Sequence, residues 1–225
     1  MKIKFGSFVV AGSGKIGGHV AAKNRGGAYL RTKVTPLNPN TGAQAGSRAL
    51  LASLSTAWAG LTDAERKSWN GAVSSFASTD IFGDLRNPSG FNLFIKLNAN
   101  LSNSGQALLS VAPEKVEVPF VPVVSATLDI SLSTLDVVFA NTGFDESVLK
   151  LAATPSLSQG VSFVKSQLRT VGHQFVPSDT VDVYDSYVAK FGVPAVGANI
   201  VLSIAPITAT GQQGVAQQIK VNVVA

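Results

Sequence analysis

Few stretches of this sequence offer a nucleophile, a proton carrier, a metal ligand or a phosphate cradle. Gly12-Ser-Gly-Lys15-Ile-Gly-Gly18 has the glycines and the lysine of a phosphate-binding loop. A Walker A loop needs GxxxxGK followed by Ser or Thr, whereas here Val9 stands at the first glycine's place and Ile16 follows Lys15. A dinucleotide loop needs a strand before it, a helix after it and an acidic residue about 20 positions on, and the surrounding pattern supplies none of these. The stretch reads as a flexible or closely packed arm. With no cysteine and only His19 and His173, a three-ligand zinc site would have to lean on carboxylates, and no HExxH occurs.

Hydrolase chemistry fares no better. There is no GxSxG elbow, and a Ser/His/Asp triad would have to use His19 in the Gly-rich start or His173 beside strand-like Val171 and Phe175, where a surface histidine on an edge strand is expected. Asp179, Asp182 and Asp185 lack the spacing of a calcium loop. If the segment is a strand, Asp182 and Asp185 point to opposite faces and are solvated. Tyr184 and Tyr187, the aromatic candidates for a sugar platform, would be divided in the same way. No catalytic residue, metal or cofactor is expected.

What remains is a cationic stretch. Lys23-Asn-Arg25-Gly-Gly-Ala-Tyr29-Leu-Arg31-Thr-Lys33 interleaves basic residues with one aromatic ring and two glycines. It could follow a phosphate backbone, with Tyr29 stacking on a base. Equally, it could be an arm that lays guanidinium groups on acidic patches of a neighbouring subunit, with Gly26 and Gly27 allowing close backbone approach. The wider charge distribution bears on the same choice. The formal net charge of the 225 residues is +5, yet Lys2, Lys4, Lys15, Lys23, Arg25, Arg31, Lys33 and Arg48 all precede the first carboxylate, Asp63. The basic character therefore belongs to the N-terminus, and the rest of the chain is mildly acidic.

Overall, 45% of residues are apolar and 14% charged, against about a quarter charged in an ordinary soluble domain. No apolar run approaches the roughly 18–20 residues that span a bilayer, so membrane insertion is not expected. Met1-Lys-Ile-Lys4 followed by Phe5 to Gly12 imitates a secretory signal, but the apolar run is broken by Gly6 and Ser7 and soon followed by Lys15; no signal peptide is expected.

Three zones must position these residues. Residues 1–40 are rich in glycine and lack a helical period, so alone they are expected to be extended or mobile. In residues 41–112, Leu50, Leu51, Leu54, Trp58 and Leu61 recur at helical spacing after a cap at Asn40 or Thr41. Thr62-Asp-Ala-Glu65 is a capping box leading to Trp69, Val73 and Phe76, and Asn87-Pro-Ser-Gly90 precedes a third helix bearing Phe91, Phe94, Ile95 and Asn98. A small helical module with a core of Trp58, Leu61, Trp69 and Phe94 is predicted. In residues 113–225 the period becomes two, at Leu128/Ile130/Leu132, Leu135/Val137/Phe139, Val181/Val183/Asp185/Tyr187, Ile200/Leu202/Ile204 and Ile219/Val221/Val223. Glycines at the breaks, among them Gly143, predict an antiparallel β-sandwich. Pro113, Pro119 and Pro122 mark a linker and an edge strand. The fold class predicted is α+β and multidomain.

Arg25-Gly-Gly-Ala-Tyr29-Leu-Arg31, then Pro36-Leu-Asn-Pro-Asn40-Thr-Gly-Ala-Gln44 with Arg48, then Trp58, Leu61-Thr62, Arg66 and Trp69, and finally Gly90-Phe-Asn-Leu-Phe94 with Asn98, occur in an order that resembles a group of phage and prophage structural proteins. The resemblance covers residues 12–98 and implies a non-enzymatic virion component, a capsid decoration or tail-associated protein. Its expected partners are other virion proteins and copies of itself, through an anchoring arm of Lys15, Lys23, Arg25, Gly26, Gly27, Tyr29, Arg31 and Lys33. Gly197-Ala-Asn-Ile-Val-Leu-Ser-Ile-Ala-Pro206 and Val215 to Val224 are similar to the last two strands of an immunoglobulin or fibronectin type III (FnIII) module. The alternatives are a nucleic-acid-binding protein that uses the arm cations on phosphates, and a carbohydrate- or host-surface-binding module.

Overall fold

A computed structural model describes residues 2–4, 12–24, 26–118, 120–140, 148–158, 160–161, 163–175 and 180–224. The stretch 5–11, Arg25, Pro119, Gly143 and Asp179 lie outside the described residues. In chain order the elements are β1 (Gly14–Ile16), β2 (His19–Asn24), β3 (Gly27–Thr32), α1 (Gly42–Gly60), α2 (Asp63–Ala72), β4 (Ser78–Thr79), β5 (Leu85–Arg86) and α3 (Gly90–Asn103). There follow β6 (Val123–Asp129), β7 (Thr134–Phe139), β8 (Val148–Ala153), β9 (Arg169–Phe175), β10 (Thr180–Asp182), α4 (Tyr184–Phe191), β11 (Asn199–Ile207) and β12 (Gln217–Val224). The class is α+β, with a large mixed sheet. The chain forms two compact units, Met1–Ala49 with Ala77–Asn87, and Leu50–Phe76 with Pro88–Ala225, a division that differs from the three sequence zones.

In the larger unit the helix boundaries follow local chemistry. At the start of α2 the Thr62 hydroxyl accepts from the Glu65 amide at 3.3 Å while the Glu65 carboxylate accepts from the Thr62 amide at 2.7 Å. These bonds satisfy two donors that a helix start leaves open, and the Thr62 amide and then the Thr62 hydroxyl, donating to the Glu65 carboxylate, hold its carboxyl below its ordinary value. Ser89 caps α3 by accepting from the Asn92 amide. The Arg66 guanidinium donates to the Ala59 and Trp58 carbonyls at 2.6 and 3.4 Å, closing the C-terminal end of α1. Gly90 sits where α2 and α3 touch: a Cβ there would lie 3.0 Å from the Asn70 amide nitrogen.

The helical core is broader than the four residues predicted. Trp69 and Phe94 are fully buried together with Leu54, Leu93 and Leu97, whereas Trp58 and Leu61 are half-buried at the margin. The Trp69 and Phe94 rings meet edge to face at 5.2 Å. The chain after α3 is strapped back across this core. Buried Asn98 donates to the Phe94 and Leu109 carbonyls and accepts from the Leu109 amide at 2.7 Å, and the Trp69 indole N–H donates to the Ser110 carbonyl at 2.7 Å.

Seven strands pair in the order β10-β7-β6-β12-β11-β8-β9. Every pairing is antiparallel except β12 with β6, where Val223 and Val224 register with Leu128 and Asp129, so the expected all-antiparallel arrangement is corrected to a mixed sheet. β6 lies between β7 and β12, which corrects the expectation that Pro122 begins an edge strand; Pro122 precedes the strand, and its carbonyl accepts from the Ala140 amide. Inward residues from β6, β7, β8, β10, β11 and β12 share one core with α4. The Val181-to-Tyr187 stretch departs from its predicted form: it stops being a strand at Asp182 and becomes α4, because the Asp182 carboxylate accepts from the Tyr184 and Leu135 amides, both at 2.9 Å. Tyr184 and Tyr187 therefore fall on one helix face. They are 8% and 1% exposed, and Asp185 is exposed in the first turn. Neither ring presents a sugar-binding surface.

The helices and the sheet share this unit through the β11–β12 connection. Asn100 donates to the Gly211 carbonyl at 2.8 Å, and the buried Gln212 amide donates to the Glu114 carbonyl at 2.7 Å while accepting from the Val116 amide at 3.0 Å.

His173 lies half-buried on the edge strand β9, registered opposite Lys150. Burial first, and Lys150 second, lower its pKa from the ordinary 6.5. A folded-state pKa below the unfolded value means that stability is lost as pH falls, because the unfolded chain takes the proton first. The melting temperature is expected to drop between about pH 7 and pH 5. His173→Gln should flatten that dependence when melting is followed by circular dichroism; an unchanged slope would clear His173 of the effect.

Candidate functional site

The glycines that made the N-terminal stretch look structureless are hairpin turns. Ile16 pairs with His19 across Gly17-Gly18, and Asn24 pairs with Gly27. Gly17, inside the first loop, has φ 55°, the left-handed geometry that two-residue hairpins require and glycine supplies without strain; Gly27, the first residue of β3, has φ 104°. The Asn24 side chain stabilises the second turn by accepting from the Gly26 amide at 2.8 Å. The result is a three-stranded antiparallel sheet, β1-β2-β3, where an extended or mobile arm was expected. Residues 2–4 run along the outer side of β3, with Lys2 bridging Tyr29 and the Ile3 amide donating to the Ala28 carbonyl.

Register decides which of the predicted arm residues come together. Cross-strand partners share a face and neighbours in sequence alternate. Lys15 pairs with Val20, and Val20 with Arg31, so Lys15 and Arg31 flank Val20 on one face, with half-buried Tyr29 beside them. The Lys33 amide extends the ladder to the Gly18 carbonyl and puts Lys33 on that same face. Lys23, opposite Ala28, is on the other. Gly26 lies in the turn, Gly27 opens β3, and Arg25 lies outside the described residues. Lys15, Lys23, Arg31 and Lys33 are exposed, and among the described residues none of the four forms a salt bridge.

Other N-terminal cations are already used within this unit. Asp80, with 2% of its side chain exposed, takes Lys2 at 3.7 Å and Arg86 at 3.3 Å, and Lys4 pairs with Asp84 at 2.8 Å while lying over the Phe82 ring. Burial would raise the Asp80 carboxyl, but the Phe82 and Asp84 amides, Arg86 and Lys2 together hold it below its ordinary value. Arg48 donates to the side chains of Asn38 and Asn40 at 2.9 and 3.3 Å, so these motif positions hold each other. Sequence reasoning counted Lys2 and Lys4 with the arm but missed their carboxylate partners, which lie some eighty residues away and carry no local signal.

Among the described residues no three His, Asp or Glu side chains are placed to hold a metal ion, and no described helix is long and apolar enough to cross a membrane. No family model matches the chain, and no curated protein matches it. Among solved structures it is similar to an Fn3-like protein from Clostridium thermocellum at 13% identity, over 48% of this chain and 95% of that one, with a TM-score of 0.31.

Proposed function

We propose that the chain is a non-enzymatic structural subunit of a bacteriophage virion, a capsid decoration or tail-associated protein held to neighbouring subunits by its N-terminal arm, with an Ig/FnIII-like sandwich as its C-terminal part. The observation that carries the reading is the arm sheet. Only Ala21 of its three strands is buried, although a sheet of this size needs a covered apolar face for independent stability. Its exposed cations lack carboxylate partners among the described residues. Such an element gains most by lying on another surface, where backbone and guanidinium contacts offset the cost of ordering it. The low charged fraction of 14% supports a surface largely covered in an assembly.

Deleting residues 1–35 is expected to abolish incorporation into particles while leaving a soluble, folded remainder, as judged by electron microscopy and circular dichroism. Normal incorporation of the truncated protein sinks the reading. Because Lys15, Arg31 and Lys33 line one face, phosphate binding is the second reading; steeply salt-dependent DNA affinity lost on neutralising them would favour it.

A further inference from the structure

We propose that the Lys15–Arg31–Lys33 face of the arm sheet docks on the outer face of β6, β7 and β10 in a second copy of this chain. The inference rests on the anchoring-arm reading and names the surface that the arm takes. On the outer face of those strands, Asp182 registers directly opposite Asp136, and Asp129 registers opposite Thr134, the second residue before Asp136 on β7. Like charges directly opposed on a sheet are destabilising, and among the described residues no salt bridge relieves Asp129, Asp136 or Asp182. Asp129 is moreover held ionised, its carboxyl lowered chiefly by the Ser131 hydroxyl and the Leu132 amide. A cation from outside the chain would relieve that repulsion.

The dimensions match. Strands spaced ~4.8 Å apart put Lys15 and Arg31 ~10 Å apart, and Lys33 lies ~7 Å along the strand from Arg31. Across the acidic face, Asp136 and Asp182 are ~5 Å apart and Asp129 lies diagonally ~7–8 Å from Asp136. Flexible lysine and arginine stems cover differences of a few ångströms. Three cations thus meet three carboxylates, all carried by one chain. Phosphate would also satisfy the cations, but it would leave Asp136 facing Asp182 with no cationic partner for either, so a second copy is favoured. The two surfaces differ, so the contact is heterologous and propagates into a ring or an open array.

The test is complementation between charge-reversed full-length chains, followed by sedimentation velocity. Asp136 is the acidic position to reverse, since Asp129 and Asp182 hold local turns. The wild-type chain should self-associate at about 50 mM salt and dissociate at about 500 mM. Arg31→Glu/Lys33→Glu and Asp136→Lys should each weaken self-association by about 10- to 100-fold with unchanged circular dichroism, and mixing the two variants should restore association. Failure of the mixture to associate, a wild-type chain that stays monomeric at low salt, or a DNA duplex taken up in place of self-association each overturns the proposal. If Asp136→Lys enters particles normally while the 1–35 deletion does not, the arm anchors elsewhere: this inference falls and the virion reading stands.

Discussion

Gly211→Ala is expected to lower the free energy of unfolding by about 2–5 kcal/mol. Two independent effects add. Gly211 has φ 74°, and a side chain in the left-handed region costs about 1–2 kcal/mol. The new Cβ would also overlap the Leu97 carbonyl oxygen and come within 3.0 Å of its carbon and 3.1 Å of Leu101 Cγ. Those backbone atoms belong to α3 and cannot rotate away, and forced overpacking of this kind costs about 1–3 kcal/mol. Movement of the loop would further stretch the Asn100 bond to the Gly211 carbonyl and the paired bonds of Gln212. Urea denaturation measures the loss. Gly197→Ala is the control, since Gly197 has a similar φ of 77° and nothing within 4 Å of its Cβ. Equal losses at the two sites would mean that conformation alone, and no contact with α3, explains Gly211.

Trp69→Ala should cost about 3–5 kcal/mol, the range for truncating a buried large aromatic side chain. The side chain is 0% exposed, stacks edge to face on Phe94 and donates its indole N–H to Ser110. Its loss leaves a cavity between α2 and α3 and frees the strap that follows α3. Trp69→Phe separates the contributions: most of the packing remains, the indole donor is lost, and about 1–3 kcal/mol should go with the unsatisfied Ser110 carbonyl. Half-buried Trp58 touches the Phe91 and Phe94 rings at the core's margin and makes no side-chain hydrogen bond among the described residues, so truncating it should cost less than truncating Trp69. The idea is wrong if thermal melts rank Trp58→Ala as the more damaging of the two.

The arm illustrates how far local pattern carries. Gly17-Gly18 between alternating residues is a hairpin signal by spacing alone, whereas the density of glycine points to a segment that is extended or mobile unless it lies on another surface. The stretch from Val181 holds both a strand reading, on Val181, Val183, Asp185 and Tyr187, and a helical i, i+3, i+4, i+7 spacing at Tyr184, Tyr187, Val188 and Phe191. A run that short is ambiguous, and the Asp182 carboxylate at the Tyr184 amide resolves it as a helix.

What the sequence determined by itself lies within about four residues of its cause. The Thr62–Glu65 box and the helix entry at Asn87–Gly90 were legible because the groups that meet there stand close together, and β11 and β12 were legible as separate runs because each carries its own period of two. Only the tertiary structure decided that β12 runs parallel to β6, that Gln212 holds Glu114 and Val116, that Asp80 takes Lys2, and that Lys15, Arg31 and Lys33 share a face without Lys23. The first three join residues far apart along the chain, whose meeting depends on loop closure offset by the burial of many other groups at once. The fourth depends on register, and a one-residue slip of a strand would have sent each cation to the opposite side.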